Sequence, residues 1–141
     1  MIDIDELMTY DWVLYKGVPN RIEEISRPNQ KVSLASSHLA AIAKATEIEP
    51  ISLSKEILQL NGFTYEPNSE AEEDGWWIWN RLGVLNGNEY VHIAFRGDDV
   101  AVYDLSIMKG FTSGDFHLNY VHELQNIMRA FRVALKIERL K

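Results

Sequence analysis

Tyr120 to Asn126, YVHELQN, begins like the H-E-x-x-H signature of zinc hydrolases. In that signature two histidines one helical turn apart hold the metal, and the glutamate between them acts on a metal-bound water. Here His122 and Glu123 fill the first two places, while Asn126 stands where the second histidine belongs. An amide is a poor zinc ligand, so half of the metal-binding pair is missing. The other histidines, His38, His92 and His117, have no one-turn or clustered spacing that would complete a site. What these residues leave open is a small hydrolase using His122 and Glu123. No catalytic residue set, metal ligand or other cofactor is expected.

Other reactive patterns are absent or explained by turns. The chain has no cysteine, which removes thiolate nucleophiles, thiolate ligands and disulfides. Neither a G-x-S-x-G elbow nor a glycine-rich phosphate loop occurs. The acidic run Glu70, Glu72, Glu73 and Asp74 lacks the alternate-position ligands and fixed glycine of a calcium loop, and reads as a solvated loop. Arg96-Gly97-Asp98 falls where a chain reversal is expected, and glycine and aspartate are turn formers.

The densest group with binding potential is aromatic: Trp76, Trp77 and Trp79. Side chains alternate across a strand, so Trp77 and Trp79 share one face, and Trp76 shares the other with Ile78. One face belongs to the core. The other presents Trp76 beside Tyr90, His92 or Tyr103, depending on register, and aromatic groups next to polar ones suit a ligand or partner. The candidate binding residues are therefore Trp76, Trp77, Trp79, His92, His122 and Asn126.

A chain of 141 residues with 46% hydrophobic and 25% charged residues is the size and composition of one globular domain. A net charge of −7 argues against a phosphate-binding surface, so nucleic acid is an unlikely partner. No apolar run is long enough to span a membrane, and the acidic start MIDIDELMTYDW has no secretory pattern, which points to a cytoplasmic location.

The elements that must position these residues form an α+β chain. The expectation is a small N-terminal β module over residues 1–50, with YDWVLYKG, RIEEIS and KVSLAS as strands and turns at VPN (18–20) and RPNQ (27–30). Residues 36–49 suit a helix by alanine content, with Ser36 or Ser37 as cap, and equally an edge strand. A short central helix should run over 54–61, capped by Ser52 or Ser54 and closed by a left-handed Gly62 with Phe63 packed back. An antiparallel β meander over 76–105, with reversals at Asn86-Gly87 and Gly97-Asp98, leads through MKGFTSGDF (108–116) to a C-terminal helix over 120–135. With Asn119 as N-cap, that helix puts Tyr120, Val121, Leu124, Ile127, Met128, Phe131, Ala134 and Leu135 in one core stripe. His122, Asn126 and Arg129 then form an outer ridge, where His122 and Asn126 either meet solvent or hydrogen-bond a neighbouring segment, the latter being favoured.

LMTYDWVLYKGVPNRIEEI, IEPISLSKEILQLNGF and FHLNYVHELQNIMRAF, taken together, resemble a large family of small uncharacterised proteins of gut bacteria, often encoded near phage or mobile elements. Members share an I-x-P-I-x-L-T-x-E-I-L-x-x-x-G-F helix block and a closing Y-V-H-x-L-Q-N helix. This chain departs in having Tyr10-Asp11 where a glycine-asparagine turn is usual, and KIERLK in place of a glycine-containing final turn. The resemblance implies an intracellular, phage- or mobile-element-associated protein with the element order above, and carries no activity. The functional expectation is a non-enzymatic module that binds another protein. The alternatives are the His122/Glu123 hydrolase and an acidic mimic of nucleic acid.

Overall fold

The computed structural model describes residues 2–35, 40–66, 76–81, 88–95, 103–109 and 112–140. Antiparallel sheet dominates, with two helices, so the chain is of mixed α+β class. It divides into two compact units, Met1–Ser52 with Tyr120–Asn126, and Leu53–Asn119 with Ile127–Lys141.

In the first unit, strands β1 (Trp12–Tyr15), β2 (Val18–Ser26), β3 (Lys31–Ala35), β4 (Ala40–Lys44) and β5 (Ile48–Glu49) form a sheet in the order β4-β3-β2-β1-β5. The first turn lies earlier than VPN. Lys16 and Gly17 both take positive φ (52° and 76°), the conformation a two-residue hairpin needs, and Val18 already starts β2. The RPNQ turn is where it was expected, with the Gln30 N–H donating to the Arg27 carbonyl at 3.2 Å. Within residues 36–49, positions 36–39 lie outside the described residues. Ala40–Lys44 is an edge strand paired with β3, so cross-strand pairing outweighs the helix preference of its alanines. One sheet face closes over Ile4, Leu7, Val13, Ile22, Leu34 and Ile48, all at most 2% exposed.

Tyr10, just before β1, holds φ at 71° while its side chain is 66% exposed. A bulky residue in the left-handed region costs about 1–2 kcal/mol, a strain that asparagine carries more easily. Tyr10→Asn is therefore expected to stabilise the protein by about 0.5–1 kcal/mol. The check is a higher urea midpoint at unchanged slope, and a lower midpoint would contradict the strain assignment.

In the second unit, α1 (Lys55–Leu60) begins with the Ser54 hydroxyl accepting the Ile57 N–H at 3.2 Å. It ends with Gly62 at φ 93°, where the Phe63 N–H donates to the Leu58 carbonyl (3.0 Å) and that of Gly62 to the Gln59 carbonyl (3.3 Å). This is a Schellman closure, and Phe63 is buried behind it. Strands β6 (Thr64–Glu66), β7 (Trp76–Arg81), β8 (Glu89–Phe95), β9 (Tyr103–Lys109) and β10 (Thr112–Leu118) form a second sheet in the order β10-β9-β8-β7-β6. The reversals at Asn86-Gly87 and Gly97-Asp98, and the acidic run 70–74, fall outside the described residues. The segment 108–116 is not a connector. It supplies the end of β9 and most of β10, paired from Thr112↔Lys109 to Leu118↔Tyr103.

The C-terminal helix α2 is Val121–Ala130, shorter than expected. Arg132 takes φ 56° and its N–H donates to the Arg129 carbonyl, while the Val133 N–H donates to that of Met128, which closes the helix. Residues Val133, Leu135 and Ile137 continue as a non-helical tail with alternate side chains buried. At its start, Tyr120 rather than Asn119 precedes the first helical residue, and the Glu123 carboxylate accepts the Tyr120 N–H at 3.0 Å.

Candidate functional site

The register of the second sheet decides which side chains share a face. Trp77 and Trp79 pair with Ile93 and Val91, which pair in turn with Leu105 and Ile107. The latter four are buried, so this is the inner face. Trp77 meets the Tyr65 ring at 5.4 Å, and a methyl group on Gly62 would lie 3.6 Å from Trp79 Cδ1. These two tryptophans are half-buried on the inner face.

The opposite face runs in rows across the strands. One row is Glu66, Trp76, Ala94 and His117, the last two lying at register positions on either side of residue 104. The next is Thr64, Ile78, His92, Ser106 and Asp115, and the third is Asn80, Tyr90, Met108 and Ser113. Trp76 is 37% exposed and Met108 39%. Between them His92 lies 6.3 Å from the Trp76 ring at a tilt of 57°, and Tyr90 meets His92 edge-on at 6.2 Å. Of the neighbours that register left open for Trp76, His92 is the one it meets, with Tyr90 completing a three-ring group. The side chain of Tyr103 lies outside those described. Sequence reasoning missed Met108, Ser106, Ser113 and Asp115, because a glycine-rich stretch looked like a connector. The alternation of Leu105 and Ile107 with Asp104 and Ser106 was the available signal.

No protein-family model, curated protein or solved structure matches this chain.

Burial holds the His92 imidazole below its ordinary pKa of 6.5, by penalising the charged form. Because the unfolded chain takes up this proton more readily, stability should fall as pH drops below about 6.5 and level off below the folded value. His92→Gln should flatten that part of the stability curve, which urea unfolding at stepped pH would show. An unchanged slope would contradict the assignment to His92.

The remaining two candidates lie on α2 in the first unit, where the two outcomes left open for the outer ridge separate: Asn126 hydrogen-bonds a neighbouring segment, and His122 is buried without a hydrogen bond among the described residues. His122 is 1% exposed. Its ring stacks on Tyr120 (5.8 Å, 11° between planes), and Nε2 lies 3.5 Å from Glu6 Oε2 without hydrogen-bond alignment. Neither ring nitrogen has a hydrogen bond among the described residues. The half-buried Asn126 donates its amide N–H to the Glu6 carbonyl at 2.8 Å. Gln125, also buried, accepts the Trp12 N–H (2.9 Å) and donates to the Tyr10 carbonyl (3.2 Å). The polar side of the helix is covered by the N-terminal segment, whose backbone it satisfies. Periodicity places such residues off the core stripe and does not say which segment covers them. Among the described residues, no three of the His, Asp and Glu side chains gather as metal ligands would, and no helix is long and apolar enough to cross a membrane.

Proposed function

We propose that this chain is a non-enzymatic binding module that receives a protein partner on the outer face of its second sheet. The observation that carries this reading is the exposed Trp76 in contact with His92, with Tyr90 and Met108 at adjacent register positions. Tryptophan, tyrosine and methionine are the types enriched where proteins meet, because they bury large area at modest entropic cost. Isolated exposed apolar residues are commonplace, but these follow one another across β7, β8 and β9. The neighbouring strands sit about 4.8 Å apart, so the five-stranded platform is about 19 Å across.

The test is recovery of a partner by the intact chain from lysate of the encoding cell, compared with variants. Trp76→Ala should weaken capture by about 30-fold, the effect of a central hot-spot residue. Ile42→Lys, on the exposed side of β4 in the first unit, should leave capture unchanged. Equal recovery by wild type and Trp76→Ala, with both proteins folded, would remove the basis for this reading.

A further inference from the structure

We infer that the partner segment received by this face is basic, an extended peptide carrying two Lys or Arg side chains about 19 Å apart with apolar residues between them. The inference rests on the binding-face reading above and adds the chemistry of the occupant. Two carboxylates bracket the aromatic group. Glu66 is on edge strand β6, directly paired with Trp76, and Asp115 is on edge strand β10, in the row of Ile78 and His92. Both are exposed. Among the described residues of the five strands, no Lys or Arg takes a register position on this face. The basic side chain of β9, Lys109, is on the inner face, where its ammonium lies 3.4 Å from the Glu89 carboxylate.

Charge complementarity therefore favours a cationic occupant. Trp76 and Tyr90 each meet the His92 ring on this face, and a lysine or arginine over an exposed indole gains cation–π attraction. His92, kept neutral at pH 7 by its burial, adds no opposing positive charge and can accept a hydrogen bond. The net charge of −7 steers basic segments toward the chain in general. The placement of Glu66 and Asp115 at the two edges sets the spacing. At about 3.3 Å per residue, an extended segment covers that span in about six residues.

The experiment is calorimetric titration of the full chain with the capped heptapeptide Lys-Thr-Leu-Thr-Leu-Thr-Lys, whose two lysines and two leucines lie on one side when extended. Peptides with Gln or Glu in place of both lysines serve as comparisons. The lysine peptide should bind tightest, and Glu66→Gln with Asp115→Asn should weaken it about tenfold. Glu23→Gln with Glu24→Gln, which removes the same charge from β2, should change it by less than about twofold. Equal loss in the two double variants would reduce the attraction to net charge and overturn the proposal. Gln-peptide binding as tight as that of the lysine peptide, and lost in Trp76→Ala, would overturn the basic occupant while leaving the face intact. Absence of binding by all three peptides overturns the basic occupant as well, and the lysate comparison then judges the face separately.

Discussion

Leu124→Ala is expected to destabilise the protein by about 2–5 kcal/mol, while His122→Leu, two residues earlier, should leave stability unchanged or raise it by about 1–2 kcal/mol. Leu124 is fully buried, and truncation removes its apolar contacts and leaves a cavity. His122 is just as buried, but its two ring nitrogens have no hydrogen bond among the described residues. A buried polar group without partners costs about 1–3 kcal/mol, which an apolar side chain of similar size avoids. His122→Ala combines lost packing with relief of that cost, so its loss should be smaller than that of Leu124→Ala. Chemical denaturation of the three variants makes the comparison. A large loss in His122→Leu would mean that the imidazole draws stability from the Glu6 carboxylate, which lies 3.5 Å from its Nε2.

Gln125→Ala should cost about 2–4 kcal/mol, a large effect for a polar residue on a helix. Its amide bonds both the Trp12 N–H and the Tyr10 carbonyl, 113 and 115 positions away in sequence. Removing it strands two backbone groups at the entrance to β1, one donor and one acceptor, and opens a cavity beside them. Each stranded group loses about 1–2 kcal/mol unless water reaches it. Gln125→Glu keeps the acceptor for Trp12 but sets a carboxylate oxygen against the Tyr10 carbonyl, so it should also destabilise. If Gln125→Ala unfolds at the wild-type denaturant midpoint, the N-terminal segment is not anchored on α2 as described.

These two results bear on which parts of the protein were legible from sequence. Around α1 every local signal agreed: a serine cap, a glycine that can take positive φ, and an aromatic residue that follows it. The tryptophan alternation was legible too, because period two has no competing reading in a strand. The start of β2 was missed because Val-Pro-Asn resembles a turn, although Lys16-Gly17 makes it. The strand β10 was missed because Gly114 and its neighbours look like a linker. Gly114 is there for space, since a methyl group would come within 2.9 Å of the Phe116 ring and 3.0 Å of Phe131. What covers the polar side of α2 is not legible for a different reason. His122, Gln125 and Asn126 are covered by a segment more than a hundred residues distant, and no local pattern reports such a contact.

The exposed aromatic face is the centre of this account, and amide chemical-shift mapping by NMR tests it most directly. On titration with the lysine heptapeptide, the resonances that move should be those of β7, β8 and β9 around Trp76, Ile78, Tyr90, His92 and Met108. Shifts concentrated instead around His122 and Glu123 at the start of α2, with the sheet unmoved, would contradict it.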